Sequence, residues 1–277
     1  MKSVWLSAPL LLAVCLLLSE GLGRAQSLQV GVNRWLEVRQ IVGSVTFNQG
    51  QTSQAARVGT RLQAVGDTVR TGSGSSTVLA VDTGIGFVSV AENTAVRVEQ
   101  LQTAPNGGKI TRLRVTGGQA RLQVRPFTNG DSRLEIETPA GVSGVRGTTF
   151  GVSVHPDGKT GVATLEGSVV TAAEGQSVAV NTGYQSLVIP GEPPLPPTPL
   201  TDNTQLDLRV LVAVNNQTVR VAGQVDPVNL LLIADTPQLV ERNGQFDIRV
   251  PRPQNQRIKA VVITPLGAKQ TYELAVP

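Results

Sequence analysis

The sequence is poor in the residues that do most protein chemistry. Its 277 positions hold one cysteine, one histidine and one methionine, and aromatic residues make up only 3%. One cysteine cannot form an internal disulfide, and one histidine beside it cannot assemble a zinc cluster. Few aromatic rings leave little for a ligand platform of stacked side chains. Helical periodicity is absent beyond the first residues, which excludes helical bundles and βαβ folds. No metal and no cofactor are expected.

The chain begins MKSVWLSAPLLLAVCLLLSEGLGRAQ. Lys2 precedes an apolar run from Ala8 to Leu18, and Gly23-Arg24-Ala25 offers small residues where a signal peptidase cuts, so residues 1–25 read as a signal peptide. The run is shorter than the roughly 20 residues a membrane helix needs. Cys15 does not fit a lipoprotein, because Val14 precedes it and apolar residues follow it. Cleavage after Ala25 removes the cysteine and leaves a mature chain with no transmembrane segment. Such a chain belongs in the periplasm, the cell envelope or the extracellular space, with stability resting on its core. Removing Lys2, Arg24 and Glu20 from 24 basic and 20 acidic residues leaves a net charge of +3, too mild to demand nucleic acid.

What is abundant points to β structure. Short segments alternate apolar and polar residues: RLRV (112–115), ARLQVR (120–125) and RLEIE (133–137) direct Leu113, Val115, Leu122, Val124, Leu134 and Ile136 to one side. Asn106-Gly107-Gly108, Gly117-Gly118, Asn129-Gly130-Asp131 and Asp157-Gly158 punctuate them as turns. The segment IPGEPPLPPTPLTDN (189–203) carries six prolines and reads as a semi-extended linker over 191–203. It divides a β domain over 30–190 from about seven further strands over 204–277, a small β-sandwich.

The stretch TPAGVSGVRGTTFGVSV (138–154) tests whether glycines here hold a ligand. Gly141, Gly144, Gly147 and Gly151 give G-x-x-G-x-x-G, not the dinucleotide spacing, and no helix follows. Arg146-Gly147-Thr148 lacks the Gly-Lys-Ser/Thr of a phosphate loop. The glycines read as backbone corners, with Arg146 expected to bond carbonyls left free at the bend. His155, in VHPDG, reads as a surface turn residue. Glu135 and Glu137 share one strand face behind Arg133, which fits an ion-paired surface better than a glycosidase acid pair. With no G-x-S-x-G elbow either, no enzyme is expected.

One charge feature stands out. Residues 109–133 carry Lys109, Arg112, Arg114, Arg121, Arg125 and Arg133 against Asp131 alone, a local charge of +5. Two readings are open: a solvated face paired with Glu135 and Glu137, or an anion-recognising patch built from Arg112, Arg114, Arg121 and Arg125.

RVGTRLQAVGDTVRTGSGSSTVLAVDTG (57–84) and VSVAENTAVRVEQL (88–101) resemble the FecR domain, through Gly66-Asp67, Thr71-Gly72, Ser75-Ser76 and the Asp82-Thr83-Gly84 turn. TPAGVSGVRGTTFGVSV, with Gly144, Arg146 and Gly147, and also TGVATLEGSVV and NTGYQSLVIPG, are similar to the family's later blocks. The resemblance covers about residues 38–192. It implies a periplasmic, β-solenoid-like domain of the kind that relays an outer-membrane receptor's state to a sigma-factor regulator. Here a signal peptide stands where such regulators carry a cytoplasmic helical segment and a membrane span. The expectation is therefore an exported, non-enzymatic envelope protein that binds a protein or an anionic wall polymer, with a FecR-type signalling component as the alternative and a carbohydrate-active enzyme a distant third. Residues 218–277, through VRVAGQVDP and NGQFDIRV, resemble bacterial immunoglobulin-like modules.

Overall fold

Alternation fixes the strands. A computed structural model describes residues 34–277, so the expected signal peptide lies outside the described residues. Every helical or extended element among them is a β-strand. The segments picked out by period two become Lys109–Val115, Gly118–Val124 and Arg133–Thr138. Their inward residues Leu113, Val115, Leu122, Leu134 and Ile136 are fully buried. Burying each such side chain contributes about 1.5–3 kcal/mol relative to leaving it in water.

Two nine-stranded sheets face each other across one core. The first runs, edge to edge, Thr198–Pro199, Tyr184–Val188, Thr160–Glu166, Thr149–Val154, Gly118–Val124, Gly86–Val90, Ser76–Val81, Leu36–Val42 and Arg61–Leu62. The second runs Gln176–Asn181, Ser168–Ala173, Gly141–Val145, Arg133–Thr138, Lys109–Val115, Ala95–Thr103, Thr68–Thr71, Val45–Gln49 and Thr52–Ala55. From Ser76 onward the chain mostly lays a hairpin on one sheet and then crosses to the other. The Gly118–Val124 strand is the exception: it crosses alone, so the chain returns to the second sheet with Arg133–Thr138 parallel to Lys109–Val115. All other strand pairs among the described residues are antiparallel. The all-β expectation holds, but neither sheet closes into a barrel or a solenoid. A solenoid stacks parallel coils, whereas antiparallel hairpins added to each sheet in turn leave four open edges.

A buried ion pair ties the two sheets together at one end. Arg34 Nε donates to Asp82 at 2.8 Å, and both side chains are about 95% buried. Asp82 also accepts the Trp35 amide at 2.9 Å. The other guanidinium nitrogens donate to the Gln102 and Ile110 carbonyls and the Thr111 hydroxyl, all on the opposite sheet. Every charge-bearing atom is thereby met, as burial of an ion pair requires.

The proline segment is extended, as its fixed φ angles dictate, and it is also docked. Thr198–Pro199 pairs with Tyr184–Val188 at the edge of the first sheet. The Leu195 and Leu200 amides donate to Leu187 and Gly183 carbonyls, at 3.0 and 2.8 Å. Beyond it, a three-stranded sheet (Asp207–Ala213, Thr218–Gln224, Gln245–Pro251) and a four-stranded sheet (Thr236–Pro237, Leu230–Ile233, Arg257–Ile263, Lys269–Ala275) enclose a second core. The expected strand PQLVE shrinks to Thr236–Pro237, and the Asn243-Gly244 turn leads into Gln245–Pro251 without a strand on its other side.

The second core rests on the outer face of the first sheet. Gly151 makes this possible: a Cβ there would lie 1.8 Å from the Pro265 carbonyl oxygen. Gln119 Nε2 donates to the same oxygen at 2.6 Å, and Ser153 Oγ donates to the Val228 carbonyl. Gln185 reaches Asp226 at 2.9 Å, and Lys269 meets the buried Glu92. Burial pulls the Glu92 carboxyl up, but Lys269 and the Gly74 amide outweigh it and hold it below the usual carboxylate range.

His155 corrects the surface-turn expectation. The turn exists, with the Gly158 amide donating to the His155 carbonyl, but the C-terminal residues cover it and His155 is only 1% exposed. Beside it Lys159 pairs with Asp157 at 2.8 Å and donates to the Val240 carbonyl.

Candidate functional site

The four arginines of the expected patch do not converge. Arg112 and Arg114 project from the outer face of the second sheet, whereas Arg121 lies on the outer face of the first sheet and Arg125 just beyond the end of the same strand. The cause is the Gly117-Gly118 crossing. Leu113 and Val115 face Leu122 and Val124 across the core, so the arginines alternating with each set point to opposite sides of the molecule.

On the second sheet the arginines belong to an ion-pair ladder. Arg112 donates to Glu135 at 2.7 Å, and Arg133 reaches the other oxygen of the same carboxylate at 3.0 Å. Arg114 pairs with Glu137 and lies 3.2 Å from Glu99. Register explains the pairing: the parallel strands set Arg112 beside Glu135 and Arg114 beside Glu137. Half-exposed pairs of this kind are worth about 1 kcal/mol or less each. Both glutamates are engaged by guanidinium groups. Arg121 and Arg125 make no ion pair among the described residues.

Beside the ladder the same face turns apolar. Gly141–Val145 and Ser168–Ala173 present Val142, Gly144, Val170 and Ala172 outward, because Val142 registers with Ala172 and Gly144 with Val170. Val170 is 53% exposed. Together with Arg133, Glu135, Arg146 and Ser168 they line an open groove of about 440 Å³. Gly144 forms part of its floor, where any larger side chain would fill the space beside Glu135. The groove ends at Arg146, which is exposed and makes no side-chain hydrogen bond among the described residues. This corrects its expected role: the bend carbonyls are met by backbone amides, since the Arg146 carbonyl itself accepts from Phe127 at 3.0 Å. Sequence reasoning missed the groove. Its signal was SVVTAA, where outward positions that should be polar are Val170 and Ala172.

The remaining motif residues shape backbone. Gly147 has φ of +138°, and a Cβ there would lie 2.4 Å from the Pro126 Cα. Gly66 has φ of +97°, and the buried Asp67 accepts the Gln63 and Ala64 amides at 2.8 and 3.0 Å. Thr71 Oγ1 donates to the Ala91 carbonyl and accepts the Thr94 amide at 3.0 Å. The Gly72 amide donates to the Ser44 carbonyl at 3.0 Å. Among the described residues no group of histidine, cysteine, aspartate or glutamate side chains is placed to hold a metal ion, and no helix is long and apolar enough to cross a membrane.

Residues 67–170 match the family model for the FecR protein. They span the ladder and all of the groove except Ala172. No curated protein matches the chain. Among solved structures, a protein described as an anti-sigma factor from Parabacteroides distasonis ATCC 8503 is similar at 15% identity and a TM-score of 0.40, over 48% of this chain and 59% of that one. It recurs, with the same values, in a second crystal structure of that protein. The chain thus spans about three fifths of that protein's length. A polysaccharide lyase is similar at 10% identity and a TM-score of 0.21, covering 88% of this chain and 40% of its own. At these scores neither likeness defines a shared fold.

Proposed function

We propose that the protein is a FecR-related signalling component of the cell envelope, exported and non-enzymatic, which works by binding a protein partner on the outer face of its second sheet. The match of residues 67–170 to the FecR model carries this reading. It favours a regulator or sensor over the passive envelope binder that the expected signal peptide put first. The partner face is supported by the groove of Val142, Gly144, Val170 and Ala172, which sits almost wholly inside the matched segment. An exposed apolar strip bounded by charged residues is what a protein interface presents before its partner arrives. The ladder beside it fixes the surface charges in place, so a partner meets a preorganised face.

In this reading residues 204–277 form an immunoglobulin-like module. Its docking covers part of the outer face of the first sheet and leaves that of the second free. The test is genetic. Deleting the gene should change a discrete set of transcripts, and the wild-type gene should restore them. A Val170→Glu variant, folded as judged by circular dichroism and melting, should not. An unchanged transcript profile on deletion would overturn the signalling reading, and full rescue by Val170→Glu would overturn the groove's part in it.

A further inference from the structure

The part of the first sheet's outer face left uncovered carries a second, chemically different site. Register lines up Ala80, Phe87, Gln123, Thr149 and Glu166 in one row across five neighbouring strands. At a strand spacing of about 4.8 Å the row from Phe87 to Glu166 is about 14 Å long. It floors a cleft of about 700 Å³, walled by Arg39 on one side and by Arg125, Pro126 and the Thr83-Gly84 turn on another. Gly84 keeps the wall low: a Cβ there would come within 3.5 Å of the Arg125 guanidinium.

We infer that this cleft binds a short stretch of a carboxylate-bearing saccharide. The lining supplies each element such a ligand needs. Phe87, 46% exposed, offers a flat apolar ring to the C–H face of a sugar. Gln123 supplies an amide donor and acceptor, and Thr149 and Glu166, already linked at 3.2 Å, supply a hydroxyl and an acceptor for sugar hydroxyls. Arg125 has no acidic partner among the described residues and presents a planar fork that matches one carboxylate. Arg39 shares the Glu37 carboxylate with Arg61, at 3.0 and 2.8 Å, so this wall keeps one net positive charge and adds to the attraction for an anion. Glu166 decides between anions. A carboxylate inside the cleft repels a ligand with charge on every atom group, such as polyphosphate, but tolerates one negative charge per hydroxyl-rich unit. The row's length suits an oligomer lying across the strands, and the inference stands apart from the partner face on the opposite sheet.

The test is calorimetric titration of the full mature chain with oligogalacturonate, beside a neutral oligosaccharide of the same length, polyphosphate and poly-glutamate. Oligogalacturonate should bind at least tenfold more tightly than each of the three. Arg125→Ser and Phe87→Leu should each weaken it fivefold or more with unchanged melting temperatures, while the Val170→Glu variant binds as wild type. Absence of binding, equal affinity for polyphosphate or poly-glutamate, or indifference to Phe87→Leu would each overturn the inference.

Discussion

Acid should loosen this protein through His155, and the size of the effect follows from where the ring lies. Neither ring nitrogen completes a hydrogen bond, although the Val228 backbone is close. Burial, aided by the Lys159 ammonium and opposed by the Asp157 carboxylate, pushes the imidazole pKa down from 6.5 to about 4. An unfolded chain therefore takes up a proton at a pH where the folded one refuses it. The stability gained from keeping the ring neutral is complete above pH 6.5 and is lost as pH falls towards about 4. That interval corresponds to about 3 kcal/mol. Urea unfolding followed by circular dichroism between pH 7.5 and 4 should show the loss in the wild type. His155→Leu removes the titrating ring and breaks no side-chain hydrogen bond, so it should be nearly neutral at pH 7.5 and should lack this part of the pH dependence. The carboxylates, apart from the adjacent Asp157 that the ring influences, titrate alike in both proteins and cancel in the difference. A wild-type-minus-variant difference that stays constant from pH 7.5 to 4 would refute the reasoning.

Other substitutions probe other joints. Arg34→Ala leaves Asp82 charged, buried and without its partner, and should cost about 3–5 kcal/mol by denaturant unfolding; a loss below about 1 kcal/mol would mean the pair is not buried. Gly147→Val forces a branched residue to φ of +138° against Pro126 and should cost about 1–3 kcal/mol, read as a lowered melting temperature. Gly151→Val, whose Cβ would strike the Pro265 carbonyl, should increase hydrogen exchange in residues 226–229 and 264–267 before it affects the first core. Arg114→Ser removes only half-exposed pairs and should change stability by about 1 kcal/mol or less.

The strands were legible in the sequence because burial acts locally. Leu113, Leu122, Leu134 and Ile136 announce their inward direction by period two, and each is fully buried. Period two does not say which sheet a strand joins. It therefore could not place Arg112 and Arg121 on opposite faces, nor show that Lys109–Val115 and Arg133–Thr138 run parallel. His155 failed for a related reason: VHPDG encodes a turn, and only the distant Val228 and Val240 segments make that turn an interior. Gly151 carried a real signal, a backbone that must be approached closely, but not the identity of the approaching Pro265. The cleft was invisible, and the groove showed only in the outward Val170 and Ala172, because each is a row across strands, assembled by register from residues far apart in sequence.

In the proposed function a protein partner occupies the groove around Val170. A photo-crosslinking amino acid placed at Val170 in the native host tests it most directly, with the same residue at Val212, which is also exposed, as the control. The account predicts one discrete protein adduct from position 170, lost when Arg146→Glu is added, and none from position 212. No adduct at position 170, or the same adducts from both positions, would contradict it.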